Sequence, residues 1–286
     1  MATVYEIITE RIIKMVEEKG HLPWQRPWKR NESFPCNIDR PKDSYKGINF
    51  WILISQDRKS PYWLTNNQVK KFGGKVKIDE KGNKEQGTMI VFWKFLNDKS
   101  DDSGKKKIPF LRYYFVYNAD QIEGIDHKIP QTETENTPLD FNPVDAAEMI
   151  LEEMPIPRKM ITHGFNRAAY SPFFDKIEMP DKTAFVGVEE YYSTLFHELS
   201  HATGHESRVN RKDAFGAGFG RENYSKEELV AEISASFLCN MAGIEKTIDN
   251  SAAYLGSWLK RLKADPKLLV MAASAAQKAS DYILDA

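Results

Sequence analysis

The sequence is short of cysteine, of long apolar runs and of net charge, and each shortage excludes a class of protein. Its two cysteines, Cys36 and Cys239, lie far apart and fit neither a disulfide framework nor a metal-binding spacing, so we expect a reducing compartment. No stretch approaches the ~20 apolar residues of a membrane-spanning helix. The N-terminal residues mix acidic and basic side chains in an amphipathic pattern that is not typical of a secretory signal. We therefore predict a cytoplasmic protein with no membrane partner.

The small net charge of −1 conceals an uneven distribution. Residues 1–126 contain 23 Lys and Arg against 17 Asp and Glu, which leaves 17 basic and 24 acidic residues of the chain's 40 and 41 for residues 127–286. Five of the six tryptophans also fall in the first part: Trp24, Trp28, Trp51, Trp63 and Trp93. A basic half is one indication of a polyanionic partner.

Apolar periodicity and turn residues predict an α+β chain of two domains joined by a linker at 127–142. With 286 residues, 41% of them hydrophobic, the chain can build a core in each domain. In the first domain, 1–126, we expect a helix from the capping box at Thr3 to Gly20, then an extended stretch, and then an antiparallel sheet from 75–78, 88–96 and 110–117. In the second domain, 143–286, we expect a strand or hairpin at 168–177 and helices at 143–154, 188–203, 225–242 and 266–284.

The run His197-Glu198-Leu199-Ser200-His201 has the spacing of a zinc peptidase site. Residues four apart lie on one face of a helix, so His197 and His201 can offer two imidazoles to one ion. Zinc makes a bound water more acidic and polarises a peptide carbonyl, and Glu198 is placed to accept and return a proton. We therefore predict Zn²⁺ as the cofactor, Glu198 as the catalytic residue and a protein or peptide as the substrate.

Such a site needs a third protein ligand, and its position distinguishes the types of zinc peptidase. A metzincin has a third histidine where this chain has Ser207. His205 lies a full helical turn beyond His201, and we expect it to cap the helix or to support the ligands from outside the metal's coordination sphere. A later predicted helix supplies Glu228 as the ligand and Glu232 as an acid that hydrogen-bonds a ligand histidine.

Two alternatives to this assignment come from the residues themselves. Ser225 and Glu228 form a capping-box pattern, so Glu228 could cap its helix instead of binding metal. Glu228 and Glu232 also share a helix face, so Glu232 could be the ligand.

Several motifs in both halves of the chain, taken in order, resemble the ArdC family of antirestriction proteins. The N-terminal motifs are Leu22-Pro23-Trp24, Pro27-Trp28, Tyr45-Lys46-Gly47-Ile48-Asn49, Pro61-Tyr62-Trp63-Leu64-Thr65 with Gln68, and Val116-Tyr117-Asn118-Ala119-Asp120-Gln121-Ile122-Glu123-Gly124. The C-terminal motifs are Tyr170-Ser171-Pro172, Asp175-Lys176-Ile177, Thr194 to His205 around the histidine pair, and Glu227-Glu228-Leu229-Val230-Ala231-Glu232.

The resemblance implies a domain that binds single-stranded DNA, joined to a zincin-like metallopeptidase domain, in a protein carried by plasmids or other mobile elements. From the residues, a basic groove with stacking aromatics is what sequence-independent binding of single strands requires. Aromatics and lysines of this kind are also typical of an ordinary core and a solvated surface. The candidate DNA contacts are Trp24, Arg26, Trp28, Lys29, Arg30, Lys75 and Lys77.

Two other functions remain open at this level. The metal site could be structural in a protein that only coats single-stranded DNA. Alternatively, the chain could be a regulatory peptidase that cleaves a repressor.

Overall fold

The computed structural model of the chain describes residues 3–25, 34–79, 81–97, 107–130, 143–211, 221–244 and 252–285. The chain divides into two compact units. The first unit comprises Met1–Ile12 and Ser33–Thr134, and the second comprises Ile13–Glu32 and Glu135–Ala286. The chain is therefore α+β in two parts, as the sequence predicts.

The first unit is built on a five-stranded sheet with the order β2-β1-β3-β6-β5. Its strands are β1 (Cys36–Asn37), β2 (Arg40–Ser44), β3 (Tyr62–Thr65), β5 (Thr88–Asn97) and β6 (Lys107–Asn118). A separate antiparallel pair consists of β4 (Lys75–Val76) and β7 (Ile122–Glu123). The helices are α2 (Ile48–Ile54) and α3 (Asn66–Lys71), together with the first part of α1 (Val4–Lys19).

The short helix α2 is held against the edge of this sheet. All but one of its residues are buried, and it begins after Gly47, whose positive φ of 59° favours glycine. The amide side chain of Asn49 accepts from the backbone N–H of Val91 (2.8 Å) and donates to its carbonyl (2.7 Å). Because β5 is an edge strand, these two bonds satisfy backbone groups that no further strand pairs.

The second unit packs helices beside a small sheet. Its strands, β8 (Ile161–Thr162), β9 (Ala169–Ser171) and β10 (Lys176–Glu178), follow the order β8-β10-β9, so β9 is an edge, and it contacts α5. The helices are α4 (Pro143–Glu153), α5 (Val188–Ala202), α6 (Arg221–Met241), α7 (Ala252–Ala264) and α8 (Leu268–Ile283). Among the described residues, no helix is long and apolar enough to cross a membrane.

Two local expectations are wrong, and the division into units is drawn differently. The strand expected at 75–78 pairs with β7 and does not join the sheet that contains β5 and β6. The stretch expected to be extended contains a turn of 3₁₀ helix at Pro23–Gln25, which contacts α6. The expected boundary at residue 126 also differs from the observed division, because residues 13–32 group with the second unit. The reason is that Val16, Leu22 and Trp24 are buried there.

Candidate metal centre and active site

The helix α5 carries both histidines on one face, one turn apart. Its opposite side is apolar and buried, with Leu195, Leu199 and Ala202 inaccessible to solvent. Burial of that side leaves His197 and His201 partly open, at 26% and 12% side-chain exposure. Their Nε2 atoms lie 3.1 Å apart, so the two imidazoles converge on one point.

A chain of buried serines sets the position of α6 against α5. The hydroxyl of Ser200 on α5 donates to that of Ser234 on α6 (2.9 Å), and Ser234 lies 3.0 Å from Ser280 on α8. Small side chains allow the helices to approach closely, and their hydroxyl groups satisfy one another inside the core. This register places Glu228 of α6 opposite the histidine pair.

Glu228 completes a cluster of three metal-binding side chains. Its two carboxylate oxygens lie 3.5 Å from Nε2 of His197 and 3.5 Å from Nε2 of His201. Among the described residues, these three are the group whose ligand atoms could hold a metal ion together. The capping alternative for Glu228 is wrong, because α6 begins at Arg221 and Glu228 lies inside the helix.

The cluster fits a zinc-sized ion. Ligand atoms bonded to zinc at about 2.0–2.2 Å in tetrahedral geometry lie roughly 3.3 Å from one another, and the observed separations are 3.1 and 3.5 Å. Two imidazoles and one carboxylate are also a typical donor set of catalytic zinc, which keeps its fourth position for water or substrate. The donor chemistry and the spacing therefore agree with a divalent metal centre.

Glu227, the residue before Glu228, contacts the other nitrogen of a ligand histidine. Its Oε1 lies 3.4 Å from Nδ1 of His201, and the guanidinium of Arg211 donates to both of its oxygens, from Nε at 3.0 Å and also from Nη2. Arg211 further donates to the Ser200 carbonyl (2.8 Å). An acceptor at Nδ1 favours the tautomer that protonates this nitrogen and leaves Nε2 free to bind metal.

The charges around His201 shift its titration. Burial lowers the pKa of His201, but the hydrogen bond with Glu227 and the negative charges of Glu228, Glu227 and Glu198 outweigh it, so the pKa is raised. Burial conversely raises the pKa of Glu227, and its bonds with His201 and Arg211 outweigh that effect and lower it. The carboxylate of Glu227 is thus held ionised beside the imidazole.

Glu198 connects α5 to the edge strand β9. Its Oε2 accepts a hydrogen bond from the backbone N–H of Tyr170 (2.7 Å), and Glu198 itself is 8% exposed. Since Tyr170 also pairs with Ile177 of β10, this N–H points away from β10 toward the open edge of the sheet. The open edge of β9 therefore faces the carboxylate that we predict to be catalytic.

A cluster around Arg208 holds the β9–β10 hairpin against the end of α5. Arg208 donates to both oxygens of Asp175, to the hydroxyl of Tyr170 (3.1 Å) and, through Nε, to the carbonyl of Ala202 (2.6 Å). The hydroxyl of Tyr170 in turn donates to Asp175 (2.7 Å). Burial acts to raise the pKa of Asp175, and the bonds from Arg208 and Tyr170 outweigh it and lower the pKa.

The remaining predicted site residues lie apart from the metal cluster. His205 contacts Ser207 through Nδ1 (2.8 Å), and Glu232 is buried one turn after Glu228 without belonging to the cluster. In the first unit, Lys75 is exposed, whereas Lys77 donates from Nζ to the carbonyl of Asp120 (2.7 Å). Four other predicted DNA contacts lie outside the described residues: Arg26, Trp28, Lys29 and Arg30.

The prediction of a base contact at Trp24 is wrong for this structure. Its side chain is 0% exposed, so the indole has no face available for stacking.

Sequence reasoning missed Glu227 and Arg211. Glu227 is adjacent to Glu228, but a helical pattern cannot tell which of two adjacent acids turns toward the Nε2 edge of an imidazole and which toward the Nδ1 edge. A signal existed in the Glu227-Glu228 pair itself, because a buried carboxylate needs a cationic partner and Arg211 was available.

Family models match both units of the chain. Residues 2–117 match the N-terminal domain of anti-restriction factor ArdC. Residues 145–275 match the zincin-like metallopeptidase family. The matched range contains α5, α6 and the whole metal cluster. The zincin-like domain implies a divalent metal.

Similar proteins occur in Escherichia coli and Sinorhizobium fredii. The chain is 36% identical, over 301 and 302 aligned residues, to two proteins from Escherichia coli named DNA primase TraC. The alignments cover 98% of this chain but 20% and 27% of those relatives, so the chain spans about a quarter of their length or less. It is also 28% identical to the uncharacterized protein y4eC of Sinorhizobium fredii, over 98% of this chain and 91% of that protein.

Two solved structures resemble the whole chain. Both are crystal structures of the antirestriction protein ArdC from plasmid R388. The metal-free form is 35% identical with a TM-score of 0.73 and covers 99% of this chain and 97% of its own. The Mn(II)-bound form is 34% identical with a TM-score of 0.73, over 99% and 98%.

Proposed function

Because the chain belongs to the ArdC family of antirestriction proteins, we propose that it binds single-stranded DNA and cleaves a protein or peptide at a zinc centre. The observation that carries the proposal is the convergence of His197, His201 and Glu228 beside the carboxylate of Glu198. These residues would hold the ion, and a divalent ion held there supplies Lewis acidity to polarise a peptide carbonyl and to make water a better nucleophile.

Zinc is the metal we propose for this site. The Mn(II)-bound crystal structure is of ArdC from plasmid R388, which is a different protein, and it does not assign the metal of this chain. For a given set of nitrogen and oxygen ligands, Zn²⁺ binds more tightly than Mn²⁺, and two imidazoles favour zinc more than they favour manganese.

Glu198 is the residue that moves the proton. Its carboxylate lies next to the ligand His197 and is mostly shielded from solvent, at 8% exposure. It accepts a proton from the attacking water and passes the proton to the leaving amine, a role typical of a positioned carboxylate.

The edge strand β9 orients the substrate. An extended peptide can add to an open sheet edge by backbone hydrogen bonds, and the open edge of β9 lies beside Glu198, which accepts a hydrogen bond from the N–H of Tyr170 there. The bonds of Arg208 to Asp175 and Tyr170 keep β9 at a constant distance from α5. Substrate and proton acceptor are thereby held on the same side of the metal cluster.

Replacing Glu198 by glutamine tests whether peptidase chemistry protects incoming DNA. The amide keeps the shape and the contact with Tyr170 but cannot accept the proton, so peptide cleavage should fall by about 100- to 10,000-fold. Metal content, fold and single-strand binding should remain. The measurement is survival of unmodified DNA entering a restricting host.

The matched control is Glu189→Gln, the same exchange in the first turn of α5. It should protect DNA as well as the parent protein. If Glu198→Gln also protects fully, the peptidase part of the proposal is rejected, and protection must arise from coating of the DNA.

A further inference from the structure

The hairpin of β5 and β6 extends beyond the rest of its sheet and exposes aromatic side chains on both faces. Its strands pair from Thr88↔Val116 to Asn97↔Lys107, whereas β3 reaches β6 only at Val116, Tyr117 and Asn118. Successive residues of a strand point to opposite faces. Arg112, Tyr113, Tyr114 and Phe115 are all exposed, so the hairpin presents two separate surfaces.

The two faces carry similar aromatic pairs. On one face, Phe92 and Tyr114 are 39% and 36% exposed, with ring centroids 5.4 Å apart. On the other, Tyr113 and Phe115 are 44% and 41% exposed, with centroids 6.0 Å apart. Aromatic content alone therefore does not distinguish them.

Positive charge distinguishes the two faces. Arg112 is the cross-strand partner of Phe92 and is exposed on the same face. Burial raises the pKa of Tyr114, and the charge of Arg40, an exposed residue of β2, acts to lower it, so Arg40 lies within electrostatic range of that phenol. Lys42, two residues along β2 and also exposed, shares the face of Arg40.

The acidic residues next to these cations are turned away or engaged. Asp43 alternates to the other side of β2. Asp39 accepts a hydrogen bond from the side-chain amide of Gln68 (2.6 Å). Among the described residues, the face of Phe92 and Tyr114 thus carries three cations, Arg112, Arg40 and Lys42.

On the opposite face, a cation covers one of the two aromatic rings. Arg11 of α1 lies over the ring of Phe115, 5.6 Å from its centroid. A guanidinium stacked on an aromatic ring covers the surface on which a base would stack.

We infer that the face formed by Phe92, Tyr114, Arg112, Arg40 and Lys42, here called the cationic aromatic face, is where single-stranded DNA binds, with bases on the two rings and phosphates on the three cations. This inference rests on the proposed binding of single strands and assigns its location. Single strands suit the surface because their bases are unpaired and offer π-faces, while duplex DNA offers only its backbone and groove edges. The arrangement requires no particular base, so binding is independent of sequence.

The test compares neighbouring tyrosines that point to opposite faces. Using the full-length protein and a fluorescent oligothymidylate, Tyr114→Ala should raise the Kd by about 5- to 150-fold, the loss typical of one stacked base. Tyr113→Ala, the same exchange on the opposite face, should bind like the parent. Tyr114→Phe should also bind like the parent, because it keeps the ring.

The salt dependence tests the cations separately. Replacing Arg112 by Gln should reduce the slope of log K against log salt by about 0.7, the counterions released per phosphate contact on a single strand. Lys70→Gln, an exposed site on α3, should leave the slope unchanged.

The outcomes distinguish a wrong location of the DNA site from an absence of single-strand binding. Equal loss in Tyr113→Ala, or no loss in Tyr114→Ala and Arg112→Gln, would overturn this assignment while single-strand binding itself stands. If the parent protein does not bind the oligonucleotide, the proposed function fails and this inference fails with it. Circular dichroism and thermal melting of every variant exclude misfolding as the cause of a loss.

Discussion

At the scale of single residues, the candidate site depends on which nitrogen of an imidazole each acid meets. Glu228 faces the Nε2 atoms of both histidines, and Glu227 faces Nδ1 of His201 with Arg211 behind it. Adjacent carboxylates thus have different roles: one is a candidate ligand, and the other sets the tautomer and orientation of a ligand.

Glu227→Gln should weaken metal affinity without abolishing it. The amide removes the negative charge that favours the metal-binding tautomer of His201, and partners of this kind typically contribute 10- to 100-fold in affinity. Glu228→Ala should lose stoichiometric binding, because a ligand is removed. The measurement is competition with a chromogenic chelator, and Glu206→Gln, in the exposed loop after α5, serves as the control. An unchanged affinity in Glu227→Gln would contradict the role assigned to Glu227.

At the scale of elements, a hydrogen bond to one carboxylate links α4 to α5. Glu148 of α4 accepts hydrogen bonds from the hydroxyl of Tyr192 on α5 (2.6 Å), from Arg158 (2.6 Å) and from Lys182 (3.2 Å). Burial acts to raise the pKa of Glu148, but these partners outweigh it and lower the pKa to about 2. The packing of α5 on α4 is therefore stabilised by a contact that depends on an ionised carboxylate.

This contact predicts a specific acid sensitivity. A carboxyl group whose pKa is lower in the folded than in the unfolded state stabilises the fold above its unfolded pKa of 4.5, and that stabilisation is lost as the pH falls toward about 2. The contribution is at most about 3 kcal/mol, and partial exposure to solvent reduces it.

Urea unfolding of the parent and of Glu148→Gln between pH 6 and pH 2.5 measures the effect. The difference in the free energy of unfolding between the two proteins should shrink as the pH falls. The exposed Glu152→Gln on the same helix should follow the parent at every pH. A constant difference would show that Glu148 contributes no pH-dependent stability.

At the scale of the whole molecule, the metal cluster couples binding to the stability of the second unit. His197 and His201 belong to α5 and Glu228 to α6, so an ion bound by all three ties the two helices together. A ligand that binds only the folded state stabilises that state by mass action.

Zinc at about 100 times its Kd should therefore raise the free energy of unfolding of the second unit by about 2.7 kcal/mol. Calorimetry with and without a chelator measures the shift, and elemental analysis should find about one zinc per chain, as expected of a single catalytic-type site. His197→Ala should show neither the bound zinc nor the shift. A parent protein whose unfolding is unaffected by zinc would argue against the cluster as a metal site.

The division into units also belongs to this scale. Residues 13–32 group with the second unit, and Trp24 is fully buried there. A boundary drawn from the composition of residues 127–142 cannot detect this, because the contribution of an N-terminal segment to a distant core leaves no mark in local composition.

Much of this protein follows from its sequence. Periodicity and capping predict α1, α4, α5, α6 and α8 because these patterns are local, but they did not predict α7. The spacing of His197 and His201 marks α5 as the candidate metal helix, because residues four apart share a helix face. The ArdC resemblance rests on ordered motifs and agrees with the solved relatives. Short elements such as β1, β3 and α3 were missed, because few residues carry too little pattern.

Only the tertiary structure decided which residues meet across elements. The packing of α6 on α5 selects Glu228 for the histidine pair and Glu227 for the outer nitrogen, and burial removes Trp24 from the candidate DNA contacts. The two faces of the β5–β6 hairpin likewise become different only when β2 brings Arg40 toward Tyr114 and α1 brings Arg11 over Phe115. The physical reason is the same in each case: local sequence sets the conformation of an element, whereas its partners are set by the burial of surfaces far apart along the chain.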